Sequence, residues 1–177
     1  KVIKQMIADG QIGDILELRG RGKEDSRGGG QDLMVLGTHI MDLMRFLNGD
    51  PEWCFARVWQ DGRKAMPGDV RMGGEGMGPI LGDRIFAQYG FPNGAVGTFG
   101  THKAKHGAGS RFALHIHGTK GIVQIVTGGL GTTFFLNDPS WMPGRSKTPW
   151  QEITSVGVGK EEPLKDGGLG MGNQFIV

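Results

Sequence analysis

The apolar positions in the first third of the chain repeat with a helical period. In residues 1–8 they recur at steps of three and four and stop at Asp9-Gly10, which predicts an amphipathic helix closed by a glycine. Residues 32–47 repeat in the same way before a helix-ending Asn-Gly-Asp-Pro sequence, and predict a second helix. The aliphatic side chains that centre its predicted buried face are Leu33, Leu36, Ile40, Leu43 and Leu47.

The period changes to two along most of the rest of the chain, which predicts β-strands. A loosely alternating strand is expected at residues 12–19, between the two helices. Six further β-rich runs follow at residues 53–59, 85–89, 95–101, 112–117, 122–126 and 133–136. Short turns at residues 92–94 and 118–121 favour antiparallel pairing, and residues 66–82 and 138–148 are predicted to be long surface loops. The pattern predicts an α+β fold with a mainly antiparallel sheet.

Composition excludes several classes of protein. Glycine accounts for 34 of 177 residues without a three-residue period, which excludes collagen and favours bent strands and loops. The net charge is +2, from 20 basic and 18 acidic residues spread among one another, so no nucleic-acid partner is expected. No apolar run approaches the roughly 18 residues that cross a bilayer, and no membrane association is expected. The single cysteine, Cys54, suits a reducing compartment, and a cytoplasmic location is expected.

The two ends of the sequence suggest a piece of a longer protein. Residue Lys1 already lies within a helical pattern, and residues 174–177 end the chain on an apolar run. We therefore expect a fragment, and an export signal in the missing N-terminal part is not excluded.

Nucleotide and metal motifs are missing from the sequence. No Gly-x-Gly is followed by a glycine at the sixth position, and no P-loop pattern occurs, so any nucleotide cofactor is expected to bind outside this chain. His115 and His117 share one face of a predicted strand, but a metal needs a third ligand that the local sequence does not supply. No metal site is predicted. His102 and Lys103 lie in a glycine-rich segment that suits either an acidic or polyhydroxylated ligand or a solvated loop tip.

His39 lies at the border of the buried face of the second predicted helix. Asp42, three residues later, can approach the imidazole and orient it, as in many acid/base histidines. Spacing alone leaves a chance pair on an exposed helix flank as the commoner explanation.

The segment around His39 resembles the glucose-fructose oxidoreductase/inositol dehydrogenase (Gfo/Idh/MocA) family. Residues 28–51 read GGGQDLMVLGTHIMDLMRFLNGDP, which is similar to the family pattern Gly-Gly-x-x-x-Asp-x-Gly-x-His-x-x-Asp-Leu-x-x-x-Leu-x-Gly-x-Pro. Residues 6–16, MIADGQIGDIL, look like the helix, turn and strand that open the family's C-terminal domain. Residues 114–123, LHIHGTKGIV, look like its Gly-x-x-Gly hairpin. The resemblance runs in order through residues 1–126.

The resemblance implies that residues 1–177 form a substrate-binding and oligomerisation domain, an open antiparallel sheet with helices on one face. It implies an N-terminal Rossmann domain, absent here, that holds NAD or NADP and a catalytic lysine. The family exchanges hydride with a hydroxyl or ketone of a sugar or cyclitol, and His39 matches its proton-handling histidine. The family places an aspartate four residues before that histidine, where this chain has Val35. Asp42 looks structural in the family.

Several expectations follow for the site and its partners. The fragment alone is expected to be inactive, and Asp32, Lys23, Arg27, His102 and Lys103 are candidates for substrate contacts. Asp32 lies too far along the helix to touch the imidazole of His39, but within reach of a bound sugar. Val35 keeps two alternatives open, a non-catalytic carbohydrate-binding or scaffolding protein and an NAD-dependent glycoside-cleaving enzyme.

A homo-oligomer formed through the sheet face is also expected. The residues that favour it are too apolar for a fully wetted surface if they share one side of the predicted sheet: Ala113, His115, His117, Val123 and Ile125.

Overall fold

The computed structural model describes residues 1–104, 112–127, 133–142 and 144–165. The chain divides into two compact units, one of residues 1–18 with 114–177 and one of residues 19–113. The division falls within strand β1, Ile15–Arg21. Among the described residues, no helix is both long enough and apolar enough to cross a membrane.

In its described residues, the first unit is a row of strands with one helix. The helix α1 spans Val2–Ala8, and its Ile3 and Met6 are buried. The strands are β8 Ala113–Gly118, β9 Ile122–Val126, β10 Thr133–Leu136, β11 Gln151–Thr154 and β12 Gly157–Val158. They lie in the order β12-β11-β10-β9-β8, followed by β1, and the pairs β9–β10, β10–β11 and β11–β12 are antiparallel.

The second unit combines the long helical segment with a meander of strands. Its helical segment is α2 Gly30–Asp32, a π-helical turn Leu33–Gly37 and α3 Thr38–Asn48. Its strands are β2 Trp53–Gln60, β3 Arg63–Lys64, β4 Arg71–Met72, β5 Pro79–Ile80, β6 Arg84–Gly90 and β7 Val96–His102, with a 3-10 turn at Pro67–Asp69. Strands β7, β6, β2 and β3 lie side by side, whereas β4 and β5 form a separate hairpin.

The helical segment packs closely against strand β7. A Cβ atom placed on Gly37 would lie 2.7 Å from the ring of Phe99, so the backbone at this point rests directly on the aromatic side chain. The buried side chains of α3 are Ile40, Met44 and Leu47. Glycine at position 37 thus sets the distance between the helix and the sheet.

The π-helical turn explains an error in the predicted helix face. Ile40 and Leu47 are buried as expected, but Met44 takes the place of Leu43, and Leu33 and Leu36 are only half-buried. A π-turn is wider than an α-turn and rotates the side chains that precede it relative to those that follow. A helical wheel drawn with one constant angle per residue therefore assigns some of these side chains to the wrong face.

The α+β class with mainly antiparallel strands is confirmed, and all six predicted runs after residue 50 are strands. The first strand begins three residues later than expected, at Ile15. The predicted loop at residues 66–82 contains the small β4–β5 hairpin. Strands β11 and β12 were not predicted, because the Gln-Glu-Ile-Thr sequence of β11 gives no clear alternation and β12 has only two residues.

The residues expected to form the self-association surface are mostly buried within the chain itself. Val123 and Ile125 have no exposed surface, Ala113 and His117 keep 7% each, and His115 is half-buried. Part of the cover is Trp141, whose ring centroid lies 4.9 Å from that of His117 and whose indole N–H donates to the Gly118 carbonyl at 3.0 Å. The local pattern does not reveal that a later segment of the chain returns over this face.

Candidate functional site

Asp32 is the buried anchor of the site segment. Its carboxylate accepts backbone N–H bonds from Lys23 at 3.2 Å and Glu24 at 3.1 Å, and the hydroxyl of Thr101 also donates to it. The Thr101 hydroxyl in turn accepts the N–H of Gly29 at 3.2 Å. The start of the helical segment, the loop after β1 and strand β7 therefore meet at one carboxylate.

This burial changes the role expected for Asp32. The residue has no exposed surface, so in this structure its carboxylate offers no oxygen to a ligand from solvent. Removing a carboxylate from water is costly unless hydrogen bonds compensate, and its three donors supply them. We therefore infer a positioning role for Asp32 instead of the direct sugar contact expected from the sequence.

The three glycines at residues 28–30 pack against the chain's own backbone. A Cβ on Gly28 would lie 2.4 Å from the backbone of His102, and one on Gly29 would lie 2.4 Å from the Gly82 carbonyl oxygen. Gly29 also has φ +89°, a conformation that suits glycine. In this structure the space beside these glycines is filled by residues 81–83 and 102–103, so it does not admit a ligand.

The loop that carries Lys23 and Arg27 is organised by Asp25. The Arg27 guanidinium donates to the Asp25 carboxylate from Nε at 3.1 Å and from Nη2 at 2.7 Å, and Lys23 Nζ lies 3.9 Å from it. The hydrogen bond from Arg27 is the main reason that the pKa of Asp25 lies below its ordinary value. The Asp25 carbonyl accepts the Ala104 N–H at 3.3 Å, which brings the segment after Lys103 to the same loop.

The tip of the β4–β5 hairpin holds the far side of this loop. Glu75 accepts hydrogen bonds from Arg27 Nη1 at 3.4 Å and from Gln31 Nε2 at 3.1 Å. The Gln31 side-chain oxygen also accepts the Gly74 N–H at 3.2 Å. Arg27 therefore bridges two carboxylates, and a ligand that uses this guanidinium must compete with at least one of them.

His39 lies on the exposed side of α3, one residue after its start. Asp42 is exposed on the next turn of the same side, and Val35 is half-buried in the π-turn that precedes His39. The exposed apolar residues Met34 and Phe46 lie before and after the pair along the helical segment, with 50% and 44% of their surfaces accessible. An accessible imidazole bordered by apolar surface suits a face that meets a ligand or another domain.

His102 does not join the Asp32 cluster. The side chains of neighbouring strand residues point to opposite faces, and Thr101 is the residue of β7 that reaches Asp32. The His102 side chain instead lies on the same face as Arg84 of β6, and it lines a cleft together with Arg84 and Trp59. The structure therefore brings Lys23 and Arg27 together on Asp25 and places Lys103 near them, while His39 lies on α3 and His102 on the opposite sheet face.

Sequence reasoning missed Thr101, Asp25, Glu75 and Gln31. Their contacts mostly join residues more than 40 positions apart, and no local spacing signals them. The exception is Asp25-x-Arg27, whose opposite charges two residues apart in a loop were a readable sign of a pair. Within the described part of the chain, no three His, Cys, Asp or Glu side chains form a group able to hold a metal.

Comparison with models of protein families shows which family the chain belongs to. The model of the GFO/IDH/MocA C-terminal domain matches residues 1–124. The chain belongs to this family. His39, Asp32 and the 23–27 loop all lie within the matched residues.

The chain is also similar to individual proteins and solved structures. A levoglucosan dehydrogenase of Pseudarthrobacter phenanthrenivorans is 32% identical over 145 residues, which cover 68% of this chain and 37% of that protein. A structure of levoglucosan dehydrogenase in complex with NADH and levoglucosan is 22% identical, with a TM-score of 0.63 over 99% of this chain and 50% of that one. An oxidoreductase domain protein from Kribbella flavida is 20% identical, with a TM-score of 0.60 over 98% of this chain and 51% of that one.

These structural likenesses, under 25% identity, establish the fold. The chain spans about half the length of the solved relatives and 37% of the curated one. Its Gfo/Idh/MocA membership rests on the family model, and the resemblance first noticed around His39 is confirmed.

Proposed function

We propose that this chain is the C-terminal domain of an NAD(P)-dependent oxidoreductase that acts on a hydroxyl or ketone of a sugar or cyclitol. The observation that carries the proposal is the accessible imidazole of His39, on a helical segment that Asp32 anchors within the family-matched region. The relatives named levoglucosan dehydrogenase support a sugar-like substrate.

The proposed role of His39 is to hold the proton of the reacting hydroxyl at a ring nitrogen. Oxidation of a carbinol releases a hydride and a proton, and the cofactor's chemistry is to accept the hydride. A histidine that accepts the proton contributes typically 10²- to 10⁴-fold to such a rate. Val35 supplies no carboxylate beside it, so the proton relay of this protein is proposed to depend on His39 without the family's aspartate.

The cofactor is proposed to bind to another domain of the complete protein. The chain contains neither the Gly-x-Gly-x-x-Gly pattern nor a P-loop. The space beside the glycines at residues 28–30 is occupied by the chain's own backbone, so these residues do not fit a dinucleotide. The residues that select NAD or NADP are proposed to lie in that other domain.

The substrate is proposed to meet the loop of residues 23–27 together with Lys103. Lys23 is 45% exposed and Arg27 27%, so both present cationic N–H donors to a polyhydroxylated ligand. Asp25 and Glu75 fix the position of Arg27 before a ligand arrives, which reduces the entropy lost on binding.

A homo-oligomer and a cytoplasmic location complete the proposal. The exposed apolar side chains at the start of β2 move the proposed contact surface to that strand, where Trp53 is 51% exposed and Phe55 65%. The strand register places both on one face, opposite Gly90 and Gln88 of β6. The exposed free thiol of Cys54 suits a reducing compartment.

The direct test is turnover by the complete protein. NAD and NADP are each offered with a panel of sugars and cyclitols, including levoglucosan and inositol, and reduced cofactor is measured by absorbance. We expect turnover with at least one pair and a large loss in His39→Ala, with Gln5→Ala on the exposed side of α1 as a control. Absence of turnover with every pair in a folded protein that binds cofactor would contradict the proposal.

A further inference from the structure

A cleft of about 500 Å³ opens on the sheet face of the second unit that carries His102. The strand register places Lys64, Trp59, Arg84 and His102 side by side on β3, β2, β6 and β7. Residues directly opposite one another on paired strands share a face. Four strands therefore present one row of two cations, an indole ring and an imidazole.

The guanidinium groups of this face are held against the indole of Trp59. Arg84 Cζ lies 5.0 Å from the ring centroid and Arg57 Cζ lies 5.5 Å from it. In the described part of the chain, neither arginine forms an ion pair with a carboxylate. A guanidinium that lies over a ring and makes no ion pair has N–H donors to offer to a planar or tetrahedral oxyanion.

Among the described residues that line the cleft, the single carboxylate is already neutralised. Glu24 is 1% exposed and pairs with the guanidinium of Arg21. Gly100 provides room for that arginine, since a Cβ there would lie 2.8 Å from Arg21 Nη1. The ion pair occupies one wall, and the positive charge of Arg84 and Arg57 is left in excess.

We propose that this cleft binds a small organic anion that carries a carboxylate or phosphate group. Arg84 binds the oxyanion through paired N–H bonds, His102 lies beside it on β7, and Trp59 and Phe86 form the apolar wall for the rest of the molecule. The volume suits a small molecule. Arg84 and His102 lie on the strand face opposite to the Thr101 side chain, and the cleft wall that contains Glu24 adjoins the 23–27 loop.

Isothermal titration calorimetry on the complete protein tests the site with three probes. Malonate offers carboxylates, inorganic phosphate offers the tetrahedral oxyanion, and malonamide is the neutral counterpart of malonate. The titrations are run at low and equal ionic strength, because salt screens exposed charges. We expect saturable binding of malonate or phosphate at one site per chain, and no binding of malonamide.

Substitutions test whether the anion binds in this cleft. Arg84→Gln is expected to weaken binding about tenfold or more, because it removes a charged bidentate donor. Arg84→Lys keeps the charge without the fork and is expected to give an intermediate loss. Arg71→Gln removes an exposed arginine of β4, outside the cleft, and is the matched control.

The results separate the site from general attraction to a positive surface. Equal losses in Arg84→Gln and Arg71→Gln would overturn the proposal, as would equal affinity for malonate and malonamide or no saturation with either anion. Unfolding curves of each variant check that the fold is kept. Preference for malonate over phosphate assigns a carboxylate ligand, and the reverse preference assigns a phosphorylated one.

Discussion

The hydroxyl of Thr101 donates a hydrogen bond to the buried carboxylate of Asp32, across 69 positions of sequence. Through this contact strand β7 fixes the start of the helical segment that carries His39. The same carboxylate orders the loop before it through the N–H groups of Lys23 and Glu24. The candidate substrate loop and the candidate proton carrier thus share one anchor.

Replacing that anchor is expected to cost stability. Asp32→Asn places an amide donor toward backbone N–H donors, and an unsatisfied buried polar group costs about 1–3 kcal/mol. Urea unfolding measures the loss, and a double-mutant cycle with Thr101→Val isolates the coupling between the two side chains. A loss below about 0.5 kcal/mol, the size of an ordinary surface substitution, would show that Asp32 is no anchor.

Gly37 is expected to tolerate no side chain. Gly37→Ala places a Cβ 2.7 Å from the Phe99 ring and should lower the free energy of unfolding by about 1–3 kcal/mol through overpacking. Gly68→Ala is the matched control, because nothing lies within 4 Å of a Cβ there. Partial recovery in the double variant with Phe99→Leu would identify the ring as the cause, and equal stability of the two glycine variants would refute it.

The period-two runs after residue 50 predicted six strands correctly, because alternation is a local property. Leu43 was predicted in place of Met44 because the π-turn before α3 shifts the helical phase, and no residue type marks that turn. Asp32 was read as a ligand group because the sequence shows its charge and position but not its burial. Contacts such as Thr101–Asp32 and Gln31–Glu75 depend on how the strands and the hairpin meet, which local patterns do not encode.

The Asp25–Arg27 pair is expected to lose its contribution in acid. The pKa of the Asp25 carboxyl is lowered from its ordinary value of 3.8, mainly by the hydrogen bond from Arg27. A carboxyl with a lowered folded-state pKa stabilises the fold fully above its unfolded pKa and loses that contribution as pH falls through the folded value. The stabilisation is therefore present at neutral pH, begins to fall below about pH 4 and is lost as the pH passes through the lower folded-state pKa.

A carbon-detected NMR titration of the Asp25 carboxyl measures this pKa. Arg27→Gln should move it upward toward 3.8, whereas Arg71→Gln should leave it unchanged. A midpoint at or above the ordinary value in the unsubstituted protein would mean that the ion pair does not form in solution.

The proposed oligomer surface gives a further expectation. Phe55→Glu introduces a charge at the most exposed aromatic residue of β2 and should reduce the assembled mass if the face is buried between copies. Light scattering over a range of concentrations measures the mass. Val70→Glu, a substitution at another exposed apolar residue outside β2, is the control. A monomer before substitution would remove the proposed surface.

Val35→Asp is the sharpest test of the proposed chemistry. Val35 lies four residues before His39 and is half-buried in the π-turn, so a carboxylate there lies about one turn from the imidazole along the helical segment. If the chain retains dehydrogenase chemistry, the added carboxylate orients the imidazole and stabilises its protonated form, and turnover should rise or extend to more substrates. Val35→Asn has nearly the same shape without the charge and should not reproduce the gain. Steady-state rates of the complete protein with NAD and NADP measure both variants, each also combined with His39→Ala. A gain that persists without His39 would place the proton relay on another residue, and no gain in a well-folded Val35→Asp protein would show that a carboxylate at this position does not assist His39.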